Sequence, residues 1–229
     1  MFRPTVLILA VAATTRTAGT SPDAFAQPPP DPLAGYVQRL HGGDAVDRSR
    51  AAKALGALGE SAGPAAPALA QALGDRDPFV ARAAVGALCQ IGPAAVPPLE
   101  RALDSRDATV RRHAAVALGR VGPAAAPAVK ALVRALKDVD AAVRRRAALA
   151  LDRIGKAGDG AVTGLIAALG DRDPTVRLTA AVALGDLGAD AADAAGPLGD
   201  LLKGDDDKLR SAATEALRKI TAPKPKKKD

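Results

Sequence analysis

The chain has 229 residues, a net charge of +7, 48 % hydrophobic and 2 % aromatic residues, no Trp and one Cys. A single Cys excludes an internal disulfide framework, and the scarcity of rings excludes a core or an interface built on aromatic anchors. Residues 1–26 and 221–229 together carry four of the seven positive units, so the body between them is close to balanced and does not read as a basic nucleic-acid-binding domain.

Residues 1–26 read as an export signal. Arg3 supplies a positive start, Val6 to Ala13 a short apolar run, and Ala24-Phe25-Ala26 a small-x-small cleavage site. The apolar run is too short to span a bilayer, and no transmembrane segment is expected. The expectation is an exported protein, periplasmic or secreted, cleaved near Ala26; the alternative is a cytoplasmic protein with a polar leader. Gln27 to Asp31 (27–31) is a Pro-rich linker, and Thr221 to Asp229 (221–229) a low-complexity Lys-rich tail expected to be disordered.

Between these ends, at 32–220, one pattern returns six times, headed by Asp44, Asp77, Asp107, Asp140, Asp173 and Asp206. The spacing is 33 residues, except for 30 between Asp77 and Asp107. Counting from each Asp, Ala stands at plus seven and plus ten and Leu at plus eleven in all six copies (Ala180, Ala183 and Leu184 in the fifth), with an aliphatic residue at plus fourteen. Steps of three and four place these on one helical stripe, with Asp as N-cap and Gly59, Gly92, Gly122, Gly155 and Gly188 as stops. Leu stands four residues before each Asp, on a shorter preceding helix. The predicted helices are 32–41 and 47–58, 65–73 and 78–91, 95–103 and 108–121, 125–137 and 141–154, 160–169 and 174–187, 192–203 and 207–220. A lone hairpin of this kind cannot bury its apolar stripe, whereas stacked hairpins share a continuous core. The fold class is therefore all-α, an α-solenoid of about six stacked hairpins. A change in curvature is expected at the 30-residue spacing, where Pro93 and Pro97-Pro98 crowd a helix start; the Gly155–Gly160 connection reads as the loosest.

These residues, with Arg at plus four (Arg48, Arg111, Arg144, Arg177, Arg210), resemble the HEAT-like repeats, in particular the short bacterial form also seen in phycobiliprotein lyase subunits. The resemblance covers about residues 31 to 220. It implies an armadillo-type fold, an Asp–Arg ladder along the stack (Asp77, Asp107, Arg111, Asp140, Arg144, Asp173, Arg177, Asp206, Arg210), and a concave face lined by the second helices. It specifies no activity, because repeat arrays serve many unrelated tasks.

No catalytic constellation stands out. His41 and His113 have no adjacent Glu, so the His-Glu pairs of HEAT-like deoxyhypusine hydroxylases are missing, and no metal or other cofactor is expected. The aromatic machinery of HEAT-fold alkylpurine DNA glycosylases is missing too, with Tyr36 alone among tyrosines. Cys89 stands at plus twelve, where the other copies have Gly56, Gly119, Asp152, Gly185 and Arg218; it reads as a small, partly buried residue. The paired turn acids, such as Asp75 with Asp77 and Asp138 with Asp140, read as structural.

One surface feature remains. Arg82, Arg112 and Arg145 occupy plus five, His113 and Arg146 plus six, and Arg120 and Arg153 plus thirteen of the middle units. Stacking aligns equal positions, so these side chains form a stripe about three units wide, suited to carboxylate, phosphate or sulfate groups. The stripe is either a partner site or a solvated face whose arginines pair with Asp104, Asp107 or Asp152. No aromatic residues interleave it, which disfavours nucleic acid. The resulting expectation is a non-catalytic, monomeric scaffold that binds another protein with an acidic surface. Two alternatives are binding of polyanions or membrane surfaces through the tail, and service as the non-catalytic subunit of a lyase-like complex.

Overall fold

The computed structural model describes residues 32–155 and 160–222. The expected export signal (1–26), the linker (27–31), the Lys-rich end of the tail (223–229) and residues 156–159 of the expected loose connection lie outside the described residues. Among the described residues there is no strand. The helices form six successive pairs: α1 (Pro32–Gly42) with α2 (Ala45–Ala57), α3 (Ala66–Gln71) with α4 (Pro78–Ile91), α5 (Val96–Ala102) with α6 (Ala108–Val121), α7 (Val129–Ala135) with α8 (Ala141–Ile154), α9 (Ala161–Ala168) with α10 (Pro174–Leu187), and α11 (Ala195–Leu201) with α12 (Asp207–Thr221). Each second helix packs on the second helices of the neighbouring pairs.

The second helices start and stop where the residue types dictate. Each heading Asp has extended backbone and its carboxylate accepts from the exposed first-turn amides: Asp77 from Phe79 and Val80, Asp140 from Ala142 and Val143, Asp206 from Lys208 and Leu209. At the other end Gly92, Gly122, Gly155 and Gly188 adopt φ between 60° and 73° with ψ near −140°, a region that a Cβ makes costly, and the chain leaves the helix there.

From the second pair on, the first helices are shorter than the sequence predicts, whereas α1 runs one residue longer. The segments Gly59–Ala65, Gly92–Ala95, Gly122–Ala128 and Gly188–Ala194 are 3-10 turns, so α7 begins at Val129 and α11 at Ala195. Pro64 and Pro127, which have no amide hydrogen to donate, sit inside two of them. Pro78–Ala102 and Ala108–Ala135 are long and apolar enough to cross a membrane by composition; each is instead folded at Gly92 or Gly122, and half of its most apolar window is buried.

The core follows the repeat. Ala at plus seven is at most 2 % exposed in every unit, as are Leu55, Leu88, Leu118, Leu151 and Leu184 at plus eleven. From the first helices Leu69, Leu99, Leu132, Leu165 and Leu198 are fully enclosed. In the first and last units Leu58, at plus fourteen, and Leu202, four before the Asp, are exposed, whereas Ile91 and Leu73 at the same registers of the second unit are buried.

Candidate partner-binding cleft

Two devices hold successive units together. The first is a close approach of second helices. A Cβ on Gly56 would meet the Cα of Ala87 at 2.8 Å, on Gly119 that of Ala150 at 2.9 Å, and on Gly185 that of Ala216 at 2.8 Å. Glycine at plus twelve thus lets α2 touch α4, α6 touch α8 and α10 touch α12, and these three contacts are the most extensive in the stack.

The second device is the Asp–Arg ladder, and here the expected acids are corrected. Arg48, Arg111 and Arg144 each form a two-pronged pair with an Asp of the next unit: Asp75, Asp138 and Asp171, with Nε and Nη2 donating at 2.7 and 2.8 Å. The heading acids Asp77, Asp107, Asp140, Asp173 and Asp206 cap helices and make none of these rungs; the rung acid lies two residues earlier. One oxygen of each rung acid also accepts the amide of the heading Asp, at 2.8–2.9 Å where the structure records it. The third prong of each arginine, Nη1, donates to a carbonyl of its own turn, for example Asp138 for Arg144. Arg177 forms only such carbonyl bonds, because Gly204 occupies the rung position, and Arg210 pairs with Asp207 of its own turn.

Electrostatics follow the geometry. The guanidinium bonds hold the Asp75 and Asp171 carboxyls below the usual carboxylate range; burial pushes Asp138 up, but Arg111 and the Asp140 amide outweigh it, and it too is lowered. Asp152, at plus twelve of α8, is pushed up by burial and by neighbouring Asp186.

Both devices fail at the joint between the second and third pairs. Ala81 stands where the rung arginine belongs and Ser105 where the rung aspartate belongs, while Cys89 replaces the close-contact glycine, its Sγ 3.8 Å from the carbonyl of Ala117. Of the five contacts between successive second helices, that of α4 with α6 is the smallest. At this joint lies a cleft of about 600 Å³.

That cleft collects most of the expected site residues. Arg82 of α4, Arg112, His113 and Arg120 of α6, and Arg146 of α8 line it, with Ala81, Val85 and Val116 supplying apolar wall. Arg145 and Arg153 are outside the lining, although their charges reach Arg146. Arg76 also lines the cleft and escaped the sequence reading, which sought basic positions only after each Asp; its register with Arg106 and Arg172, one before the heading Asp, was the available signal. His113 reaches back across the joint, Nδ1 lying 2.8 Å from the carbonyl oxygen of Leu73. Arg82 lies over the exposed Phe79 ring, 5.9 Å from its centroid.

The expected pairing of these arginines with Asp104, Asp107 or Asp152 does not occur. Asp104 lies 3.9 Å from Arg134, Asp107 caps α6, and among the described residues none of Arg82, Arg112, Arg120, Arg145, Arg146 and Arg153 forms an ion pair. Arg146 is partly buried, and burial followed by the charges of Arg145, Arg112, Arg153 and Arg120 pushes its pKa down. Its Nε is enclosed and has no hydrogen-bond partner. Among the described residues no group of three or more His, Cys, Asp or Glu could hold a metal ion.

A profile for HEAT repeats matches residues 33–119, 66–138, 96–165 and 129–218. No curated protein matches the chain. Among solved structures, the CpcE–CpcF complex of phycocyanin lyase from Nostoc sp. PCC7120 is similar over 67 % of this chain and 98 % of that one, at 25 % identity and a TM-score of 0.59. An engineered protein is similar at 26 % identity, covering 83 % of this chain and 96 % of its own, with a TM-score of 0.56. A designed armadillo repeat protein in complex with the peptide (KR)4 shares the fold at 20 % identity, with coverage of 83 % and 100 % and a TM-score of 0.57. Overlapping matches across nearly all of the described helices, together with the six stacked pairs, lead to one assignment: the chain belongs to the HEAT repeat family.

Proposed function

We propose that this chain is a non-catalytic, exported repeat scaffold that binds another protein, through an acidic surface of that partner, on a concave face lined by the second helices. The observation that carries the reading is the set of guanidinium groups around the α4–α6 cleft without carboxylate partners among the described residues, beside rung arginines that are fully paired. Solvated arginines on an unneeded face have no reason to gather where the stack parts. Clustered like charge raises the potential in a cleft and favours an acidic partner in both encounter and register. The test is capture by cross-linking from the exported fraction of the source cell, with the full chain as bait beside an Arg82→Glu, Arg112→Glu, Arg146→Glu variant. One protein captured by the first and lost by the second supports the reading. Equal recovery on both baits, released by modest salt or by deletion of residues 221–229, refutes it and transfers binding to the tail.

A second reading has its own observation. The likeness to the CpcE–CpcF complex, which is a lyase of two chains, favours a role as one subunit of a two-chain assembly. Size-exclusion chromatography of the captured complex separates the two: a stoichiometric pair with a second repeat protein supports the subunit role.

A further inference from the structure

We infer that the cleft between α4 and α6 is built to seat one tetrahedral oxyanion, a phosphoryl or sulfuryl group, on Arg146. This deepens the partner-binding reading and rests on it for the source of the group, since it names what on the partner the cleft engages.

Arg146 is unlike the other arginines of the stack. A rung arginine divides its donors between an aspartate and backbone carbonyls, as Arg144 does with Asp171, Asp138 and Val139. Arg146 is drawn in from solvent and lines the cleft, yet its Nε is enclosed with no acceptor. It is also surrounded by like charge, because Arg112 and Arg120 of α6 and Arg145 and Arg153 of α8 all act on it, and none of them pairs with an acid among the described residues. An enclosed donor without an acceptor and a partly buried cation crowded by like charge are both destabilising. A single anion removes both costs at once.

The lining selects the type of anion. The donors come from three helices, Arg82 on α4, Arg112 and Arg120 on α6, and Arg146 on α8, and the two carboxylates in the lining are already engaged, Asp75 by Arg48 and Asp107 by the Thr109 amide. A carboxylate has two coplanar oxygens and suits one arginine fork. A phosphate or sulfate group directs oxygens in four directions, carries up to two charges, and is met by several forks together. The cleft volume of about 600 Å³ exceeds what such a group needs and leaves room for the chain that presents it. The apolar wall of Ala81, Val85 and Val116 suits the aliphatic part of that chain.

The experiment is isothermal titration calorimetry of the full chain with inorganic phosphate, sulfate and acetate at constant ionic strength. A second arm uses a phosphoserine peptide with acidic flanks and the same peptide without the phosphate. The expected result is phosphate and sulfate binding about tenfold or more tighter than acetate, and loss of about tenfold or more of that affinity in Arg146→Gln. Arg146→Gln is also expected to melt higher than the native chain without anion, because the repulsion and the unpaired donor are gone; a merely structural arginine would give the opposite shift. Should Arg146→Gln lose its helical circular dichroism, Arg146→Lys, which keeps the charge without the fork, carries the test through the same loss of phosphate over acetate preference. A peptide gain that depends on its phosphate places the group on the partner; binding of free phosphate alone makes it a small-molecule site. Equal affinity for phosphate and acetate, or unchanged affinity in both Arg146 variants, overturns the inference. If no oxyanion binds but the acidic partner is still captured through Arg82, Arg112 and Arg146, the inference falls and the partner reading stands. If the oxyanion binds and no partner is captured, the reverse holds.

Discussion

Replacing Arg144 with Met tests what the ladder contributes. Arg144 and Asp171 form the most enclosed rung, with side chains 5 % and 9 % exposed, against 12 % and 10 % for Arg111–Asp138 and 22 % and 12 % for Arg48–Asp75. The substitution removes two charged hydrogen bonds to Asp171 and those from Nη1 to the carbonyls of Asp138 and Val139, while the aliphatic stem is kept. Asp171 retains the amide of Asp173 and loses its counter-ion. Removing one partner of a buried pair costs about 3–5 kcal/mol. At roughly 2–4 °C per kcal/mol for a chain of this size, a loss of about 3 kcal/mol lowers the melting temperature by roughly 6–12 °C. Urea unfolding followed by circular dichroism measures the loss. Amide hydrogen exchange should place it at α8 and α10, because units in a stack couple chiefly to their neighbours. Adding Asp171→Asn to Arg144→Met should recover part of it, since no unpaired carboxylate then remains. The cost should fall from Arg144 to Arg111 to Arg48 as the rungs become more exposed. A loss under about 1 kcal/mol for Arg144→Met, the range of an exposed pair, or the reverse order across the rungs, refutes the assignment of the ladder as the clamp between units.

Other expectations follow from the same contacts. Because Asp75, Asp138 and Asp171 have lowered folded-state values, the stability they contribute is present above about pH 4 and is lost as pH falls through those values; acid melting of the native chain should be steeper than that of Asp171→Asn. Asp152 has the opposite sign: its raised value favours the protonated form in the fold, so its contribution is greatest in acid and is lost as pH rises through that value, and Asp152→Asn should raise the melting temperature at neutral pH. Gly119→Val places atoms against the backbone of Ala150 and should cost about 1–3 kcal/mol, whereas Gly86→Ala, with open space at its Cβ, should stabilise α4 by up to about 1 kcal/mol; thermal melting of the two reads both. Ala81→Arg with Ser105→Asp supplies the missing rung, and should slow amide exchange at the α4–α6 joint and weaken phosphate binding, with neither single change sufficient.

Much of this molecule is legible along the chain. Ala, Ala and Leu at plus seven, ten and eleven identify the buried face of each second helix without a structure, because a residue's side on a helix depends only on its register. The caps are equally local: Asp and the two or three residues after it contain the whole interaction. The ladder was readable only in part. Each turn carries two acids, and nothing local distinguishes Asp75 from Asp77. Yet Arg at plus four is followed in the next unit by Asp two before the head at Arg48–Asp75, Arg111–Asp138 and Arg144–Asp171, and both are absent together at Ala81 and Ser105. That joint absence was the signal for the rung and for the gap.

The hairpins, their number, their caps and the core are written in the residue pattern, since each depends on residues within one unit or on a period that repeats between units. It also aligned Arg82, Arg112, His113, Arg120, Arg145, Arg146 and Arg153 as a stripe. Tertiary structure decided which of them share a cleft. The position of a side chain across a joint depends on how far two helices approach, and at this joint Cys89 stands in place of glycine and the rung is absent. It also decided that the Nε of Arg146 is enclosed and unpaired, because burial of one atom is a property of neighbouring helices together and not of any register.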